Sequence, residues 1–249
     1  MATVTHVASM LQLFIEDSEL GVREMSRRLS MSPGWTYEMA VQLAQANLLE
    51  KDPTTGRYRL GFGVIELGHL AKARNELGSI ARPLLSALAE ATKESAHVGV
   101  LAGTHVMFLE GVKSHPALEL FSRHGWRIPS HSTSVGKAIL AYQSEDVVEA
   151  FITAGLQQLT AKTITDPELF REELRTVRER GYALNLEEIE PTVRCVGVPV
   201  FGRQGEVIAG ISIAGPSNRL TQERLKACVP WLKEAASDMS RQVRAASHG

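Results

Sequence analysis

The sequence predicts an α+β protein: a winged helix-turn-helix at the N-terminus, then a larger domain of helices and strands. First, residues 7–49 hold three segments with helical apolar spacing, and a basic turn and strand follow them. Second, two Val- and Ile-rich runs, 193–201 and 207–214, flank the hairpin signal Gly202–Gly205. Third, a chain of 249 residues with 44% hydrophobic and 22% charged side chains is typical of a globular protein with one large domain or two ordinary domains.

The N-terminal helices are expected at 7–15, 21–29 and 35–49. Ser32 and Pro33 suit the N-cap and first helical position of the third helix. Two helices joined by a short turn are the pattern of a helix-turn-helix. Residues 51–60 add a turn and a short basic strand, as a wing would.

DNA contacts are expected from the third helix, the basic side chains of the second helix and the wing. Phosphate contacts fix the register on a duplex, and the inserted helix reads base edges in the major groove. The predicted DNA-binding residues are Arg23, Arg27, Arg28, Ser32, Trp35, Thr36, Tyr37, Gln42, Arg57 and Arg59. Residues 1–77 nevertheless carry nine acidic and eight basic side chains, unlike the usual basic footprint. Helix packing remains an alternative role for Trp35 and Tyr37.

A linker helix is expected over 62–75, broken at Gly78 and resumed over 80–92; such a helix often also forms a dimer surface. Strands are expected at 96–101 and 105–112, with a further one at 118–121. Helices are expected at 145–154, 166–180 and 221–246, so the second half has five or six strands.

The segment 123–141 contains Gly136-Lys137, but His131 and Ala138 occupy the positions where a phosphate-binding loop needs Gly and Ser or Thr. A loop capped by Ser132 or Thr133 and leading into a helix is the better interpretation, because N–H groups at a helix start attract a carboxylate. Lys137 is either a solvated helix charge or a contact for such an anion.

A small-molecule pocket is predicted where this helix start meets the strands that carry Cys195 and Ser212. The acidic loop Glu187, Glu188 and Glu190 lies beside those strands in sequence. The alternative is a core hairpin in which the Cys and the Ser pack merely as small residues.

Several classes of protein are disfavoured. No apolar run of about 18 residues predicts a membrane span, and the N-terminus does not resemble a signal peptide. The two cysteines lie far apart in sequence, which is typical of a protein in a reducing cytoplasm. The net charge of −1 does not by itself indicate a nucleic-acid or membrane partner. Neither a cofactor nor a metal is expected, because the histidines lack ligand spacing: His97, His105, His115, His124 and His131.

Six ordered motifs carry a family resemblance: Gly56-Arg57-Tyr58-Arg59-Leu60, His131-Ser132-Thr133 with Gly136-Lys137-Ala138, Gly181-Tyr182-Ala183-Leu184, Arg194-Cys195-Val196, Pro199-Val200, and Ile211-Ser212 with Gly215-Pro216. Together they resemble the IclR (isocitrate lyase regulator) family of bacterial transcription factors. The resemblance implies a winged helix-turn-helix domain (1–61), a linker helix (62–77) and a GAF/PAS-like antiparallel-sheet effector domain (78–249). It also implies dimers that pair into tetramers.

The resemblance further implies an effector pocket lined by Ala117, Ile128, Ser134, Val135, Asn185, Cys195, Ser212 and Ala214. Asn185 departs from the family, which often has Asp there. The Lys, Ser and Arg usual in the family's recognition helix are replaced here by Gly34, Trp35 and Met39.

The sequence therefore predicts a transcriptional regulator, repressor or activator, that binds double-stranded operator DNA and responds to a small organic acid, aromatic acids included. Two alternatives are open. One is an enzyme with Cys195 as nucleophile and His131 as base. The other is an interaction protein whose pocket is vestigial.

Overall fold

The computed structural model describes residues 4–73, 76–114 and 127–246. The chain divides into two compact units, Met1–Asn75 and Glu76–Gly249. Each unit has its own buried apolar core. No helix in these ranges has the length and hydropathy needed to cross a bilayer.

Unit 1 contains the helix-turn-helix and its wing. Its elements are α1 (Val4–Leu13), α2 (Val22–Leu29), α3 (Pro33–Gln45), β1 (Leu49–Lys51), β2 (Tyr58–Leu60) and α4 (Phe62–Ala73). The strands β1 and β2 pair antiparallel and form the wing, as predicted. Met10, Leu20, Met25, Met39 and Tyr58 pack together as the core beneath α2 and α3.

Helix α3 begins as the sequence predicts but ends earlier. The Ser32 side chain accepts a hydrogen bond from the Trp35 N–H at 3.4 Å, and Pro33 is the first helical residue. The helix was expected to continue to Leu49 but stops at Gln45. Asn47 takes a positive φ of 58°, and Leu49 pairs with Leu60 in the wing, so both leave the helix.

Unit 2 is built around a six-stranded sheet, strictly antiparallel, in the order β5-β4-β3-β8-β7-β6. The strands are β3 (Ser95–Ala102), β4 (His105–Val112), β5 (Arg127–Pro129), β6 (Ala183–Leu186), β7 (Val193–Phe201) and β8 (Val207–Pro216). The helices are α5 (Glu76–Thr92), α6 (Ser134–Leu140), α7 (Glu145–Thr153), α8 (Pro167–Arg180) and α9 (Gln222–Ala246). A 3-10 turn, Ser130–Ser132, leads into α6.

The two faces of the sheet are covered differently. Successive residues of a strand point to opposite faces. Val196, Ile211 and Ile213 pack with residues of α5 and α9 in the main core. The intervening positions face α6, whose backbone lies so close that a Cβ on Gly197 would come within 2.8 Å of Ser134 C. Glycine therefore permits α6 to lie directly on the sheet.

The predicted helix break at Gly78 is wrong, because Gly78 is a buried residue within α5. Local propensity disfavours glycine inside a helix, and burial in unit 2 overrides that propensity here. The strand expected at 118–121 lies outside the described residues. Helix α8 ends at Gly181 with φ of 77°, as its C-cap position predicts.

Candidate functional site

A small enclosed cavity, here called the effector cavity, lies between α6 and the sheet face that it covers. Its walls come from β3, β4, β5, α6, β7 and β8, with Thr133 and Ile189 from flanking loops. The cavity has a volume of about 20 Å³, which is room for about one water molecule. The structure therefore describes this site in a closed state.

Six of the eight predicted effector residues line this one cavity: Ile128, Ser134, Val135, Cys195, Ser212 and Ala214. Asn185 does not line it. Its buried side chain accepts a hydrogen bond from the Glu188 N–H at 2.8 Å, so it holds the following loop in place. Ala117 lies outside the described residues.

Four cavity residues were not predicted: His97, Phe108, Thr133 and Ile189. His97 lies opposite Ser212 in the β3–β8 pairing. Cross-strand neighbours share one face of a sheet, so the period-2 pattern would have indicated His97 once that pairing was known. Ile189 lies in the acidic loop and is the apolar residue of that loop which lines the cavity.

The cavity wall is uncharged and offers hydroxyl groups. None of the lining residues is Asp, Glu, Lys or Arg, and burial lowers the pKa of His97 to about 4, so it is neutral at pH 7. The hydroxyls of Ser134 and Ser212 make no hydrogen bond to other described residues. They are therefore available to a ligand.

Lys137 belongs to a buried ion-pair network beneath the cavity. Its side chain is 1% exposed, and its Nζ lies 2.7 Å from Glu188 Oε1 and 3.4 Å from Glu173 Oε1. Both earlier interpretations, a solvated charge and a ligand contact, are therefore wrong. Burial raises the pKa of Glu188 despite the nearby ammonium group. The Lys137 charge is therefore neutralised inside the fold rather than presented to a ligand.

The acidic residues of the loop do not line the cavity. Glu187 pairs with Lys162 and with Arg194 at 3.2 Å, and these contacts, the Lys162 hydrogen bond first, lower its pKa to about 2. The loop is clasped by Thr163, whose hydroxyl donates to the Glu188 carbonyl at 2.7 Å. These contacts fix Ile189 against the cavity.

The structure does not assemble the alternative cysteine site. Burial, followed by the charge of Glu188, raises the pKa of the Cys195 thiol to about 12. His131 Nε2 instead donates to the Gln157 carbonyl at 2.9 Å, and its ring contacts Phe170 edge-on. A nucleophile needs a thiolate and a base within hydrogen-bond reach. Among the described residues, no cluster of three or more potential metal ligands occurs either.

The predicted basic surface of unit 1 divides into paired and unpaired cations. Arg28 contacts Asp17 at 2.5 Å, Arg57 contacts Glu24 at 3.2 Å, and Arg59 contacts Glu50 at 2.9 Å. The acidic residues of this region therefore neutralise three of the arginines that were predicted to contact DNA. In contrast, Arg23 and Arg27 are exposed and make no ion pair with any described residue.

The exposed face of α3 is narrower than predicted. Thr36 is fully buried and its hydroxyl donates to the Ser32 carbonyl, so the structure removes it from the set of base-reading candidates. Trp35 is half-buried, packs on the core and meets the His6 ring edge-on. Tyr37 is 48% exposed, and Lys51 Nζ lies 5.7 Å from its ring centroid.

Ser32 and Gln42 are exposed. The Ser32 hydroxyl caps α3, whereas the Gln42 side chain makes no hydrogen bond to other described residues. Lys51, which stands beside Tyr37, was not among the predicted contacts. Its place next to the recognition helix follows from the wing pairing rather than from the linear sequence.

Comparison with known proteins gives consistent results. Residues 69–241 match the family model described as the C-terminal domain of the bacterial transcriptional regulator IclR. The HTH-type transcriptional regulator BhcR of Paracoccus denitrificans is 36% identical over 231 residues, covering 92% of this chain and 83% of BhcR. A putative IclR regulator structure from Silicibacter sp. TM1040 aligns with a TM-score of 0.85 at 27% identity, over 97% of this chain and 96% of that one.

A second solved structure holds a ligand. The IclR homologue from Microbacterium hydrocarbonoxydans, complexed with 4-hydroxybenzoate, aligns with a TM-score of 0.81 at 25% identity. The alignment covers 98% of this chain and all of that one.

Proposed function

Since this chain belongs to the IclR family of bacterial transcriptional regulators, we propose that its effector cavity binds a small organic acid which controls the binding of unit 1 to double-stranded operator DNA. The observation that carries the proposal is the convergence of Ile128, Ser134, Cys195 and Ser212, from four separate elements, on one enclosed cavity. A regulator of bacterial transcription acts where the chromosome is, so we also place the protein in the cytoplasm.

The chemistry of the cavity favours an acid with a flat apolar body. Phe108, Ile128 and Ile189 supply apolar walls, while the unpaired hydroxyls of Ser134 and Ser212 can donate to a carboxylate. The related structure with 4-hydroxybenzoate supports an aromatic acid as one member of this class.

Binding must be coupled to opening of the cavity, because about 20 Å³ does not admit an organic acid. The ligand shifts the protein toward the open state only by as much as it binds that state more tightly. If the open state also differs in its affinity for operator DNA, the acid and the DNA influence each other reciprocally.

The effector proposal is tested by thermal-shift and calorimetric titration with benzoate, 4-hydroxybenzoate and pyruvate. A ligand at about 100 times its dissociation constant adds about 2.7 kcal/mol of stability. Ser212→Leu fills the cavity and should abolish the effect, whereas Ser86→Leu, at an exposed position of α5, should preserve it. Binding that survives Ser212→Leu unchanged would place the acid elsewhere.

The DNA proposal is tested by measuring affinity for the protein's own upstream region across a range of salt concentrations. Each phosphate contact contributes about 0.9 to the slope of log affinity against log salt. Arg23→Ala and Arg27→Ala should each weaken binding and reduce the slope by about that amount. Arg59→Ala should have a smaller effect, because Glu50 already neutralises it. Equal slopes in all variants would refute the assignment.

We also propose that the chain forms a homodimer, and that two dimers form a tetramer. Helix α4 exposes four large apolar side chains, each more than half accessible: Phe62, Ile65, Leu67 and Leu70. Such a patch on one short helix favours contact with a second copy. Sedimentation of Ile65→Glu should show dissociation, while Glu66→Ala on the same helix should not; an unchanged mass for Ile65→Glu would exclude α4 from the interface.

A further inference from the structure

An open depression in unit 2, here called the cationic cleft, lies between the C-terminal half of α9 and the end of β7. It encloses about 360 Å³, within the range of small-molecule sites, whereas the effector cavity is closed. The cleft and the effector cavity share no lining residue. The cleft therefore needs its own explanation.

The charge in the cleft is of one sign. Lys233, Arg241 and Arg244 line it, and no Asp or Glu does so among the described residues. Arg241 is paired with Asp238, but Lys233 and Arg244 form no ion pair within the described part of the chain. Two uncompensated cations in one concave site favour an anionic occupant.

Backbone carbonyls hold both unpaired cations in place. Lys233 Nζ donates to the Arg180 carbonyl at the end of α8, at 3.2 Å, and Arg244 Nε donates to the Gly202 carbonyl at 3.1 Å. Each group keeps further N–H donors that bind no other described residue, because an ammonium has three and a guanidinium five. The two cations are therefore held in place but keep N–H groups that can donate to a ligand.

The floor of the cleft is apolar and partly aromatic. Val198, Pro199 and Phe201 of β7 form it, and Tyr142 meets Phe201 edge-on with ring centroids 5.3 Å apart. Solvated cations alone would require no such floor. An occupant with an apolar body and an anionic group can contact both the apolar floor and the cationic side chains of the cleft.

We propose that the cationic cleft is a second ligand site, separate from the effector cavity, for an amphipathic organic anion. Lys233 and Arg244 bind the anionic group, and Tyr142 with Phe201 contacts the apolar body. The site stands independently of the effector proposal, because the two share no residue and the cleft is open in the closed-cavity state.

The test is calorimetric titration of the full-length protein carrying Ser212→Leu, so that the effector cavity is filled. The probes are phenyl phosphate, its neutral counterpart benzyl alcohol, and inorganic phosphate. Phenyl phosphate should bind with one site per chain, at least about tenfold more tightly than either of the other two, since each lacks one half of the recognition.

Charge removal should act at the same site. Lys233→Gln and Arg244→Gln should each weaken phenyl phosphate binding about tenfold, whereas Arg244→Lys, which keeps the charge, should lose less. Both positions, Lys233 and Arg244, are exposed, so circular dichroism should show unchanged folding in all three variants.

Four outcomes would overturn the proposal. They are no binding of phenyl phosphate, binding unaffected by the Gln variants, inorganic phosphate binding as tightly as phenyl phosphate, and an effect of the Gln variants only on oligomeric mass or on affinity for nonspecific duplex DNA. The last would assign the cations to a second copy of the chain or to a DNA backbone. Loss of acid binding at the effector cavity alone leaves this result unaffected.

Discussion

Replacing Lys137 by Met should destabilise the protein far more than removing an exposed charge. The change removes the ammonium that neutralises Glu188 at 2.7 Å and Glu173 at 3.4 Å, where the Lys137 and Glu188 side chains are only 1% and 7% exposed. A buried carboxylate left without its partner costs about 3–5 kcal/mol. That is a large share of a total stability of about 5–15 kcal/mol.

The loss should depend on pH in a defined direction. Burial raises the pKa of Glu188 in the folded protein, and removal of Lys137 removes an influence that lowers it. An acid whose folded pKa is raised contributes stability that is present below its unfolded pKa and lost as pH rises through the folded value. The deficit of Lys137→Met should therefore be larger at pH 8 than at pH 5.

Urea unfolding followed by far-UV circular dichroism at both pH values measures this deficit. Lys137→Met combined with Glu188→Gln should recover part of the loss, because the buried charge is then absent. Arg175→Met, which breaks the exposed pair with Glu172, should cost far less than Lys137→Met, because water already screens that pair. A cost for Lys137→Met as small as that of Arg175→Met, or one equal at both pH values, would refute the reasoning.

Three further predictions follow from buried groups. The pKa of His97 is lowered from 6.5 to about 4, so its neutral ring contributes stability that is complete above pH 6.5 and is lost as pH falls toward 4. Urea unfolding across this pH range should show that His97→Gln loses up to about 3 kcal/mol less stability than the unchanged protein. Parallel curves of stability against pH for the two proteins would contradict this. Iodoacetamide at pH 8 should modify Cys195 at least about a hundredfold more slowly than free cysteine, because burial disfavours the Cys195 thiolate. Mass spectrometry of the labelled peptide measures the rate. Labelling at the rate of free cysteine would show that the thiol is accessible. Gly136→Ala should lower the melting temperature, because the added Cβ would lie 2.1 Å from the Ser130 carbonyl oxygen. Gly34→Ala should leave the melting temperature unchanged, because no atom of a neighbouring element lies within 4 Å of the added Cβ. Equal melting temperatures for the two variants would show that α6 can shift.

Short-range patterns predicted much of the secondary structure. The Ser32-Pro33 cap, the Gly181 C-cap and the hairpin between β7 and β8 depend on chemistry within a few residues, and the structure confirms all three. The end of α3 and the role of Gly78 were wrong, because wing pairing and core packing act through distant residues. Local propensity does not contain those partners.

The site was predicted unevenly for the same reason. Cys195 and Ser212 were indicated because they are polar residues within Val- and Ile-rich runs, and the structure places both on the sheet face that lines the cavity. Thr36 and Lys137 looked like accessible polar groups, and the structure buries both. Whether a polar side chain meets solvent or a partner depends on what packs over it.

The sequence by itself indicated the family, because its ordered motifs are local properties of the chain, and the resemblance then implied the antiparallel α+β architecture of the effector region and six residues of the cavity. Only the tertiary structure decided that Lys137 is neutralised by Glu188 and that the cavity is closed. It also decided that Lys233 and Arg244 stand without acidic partners above an apolar floor. These properties depend on distances between residues far apart in sequence, and such distances are set by packing.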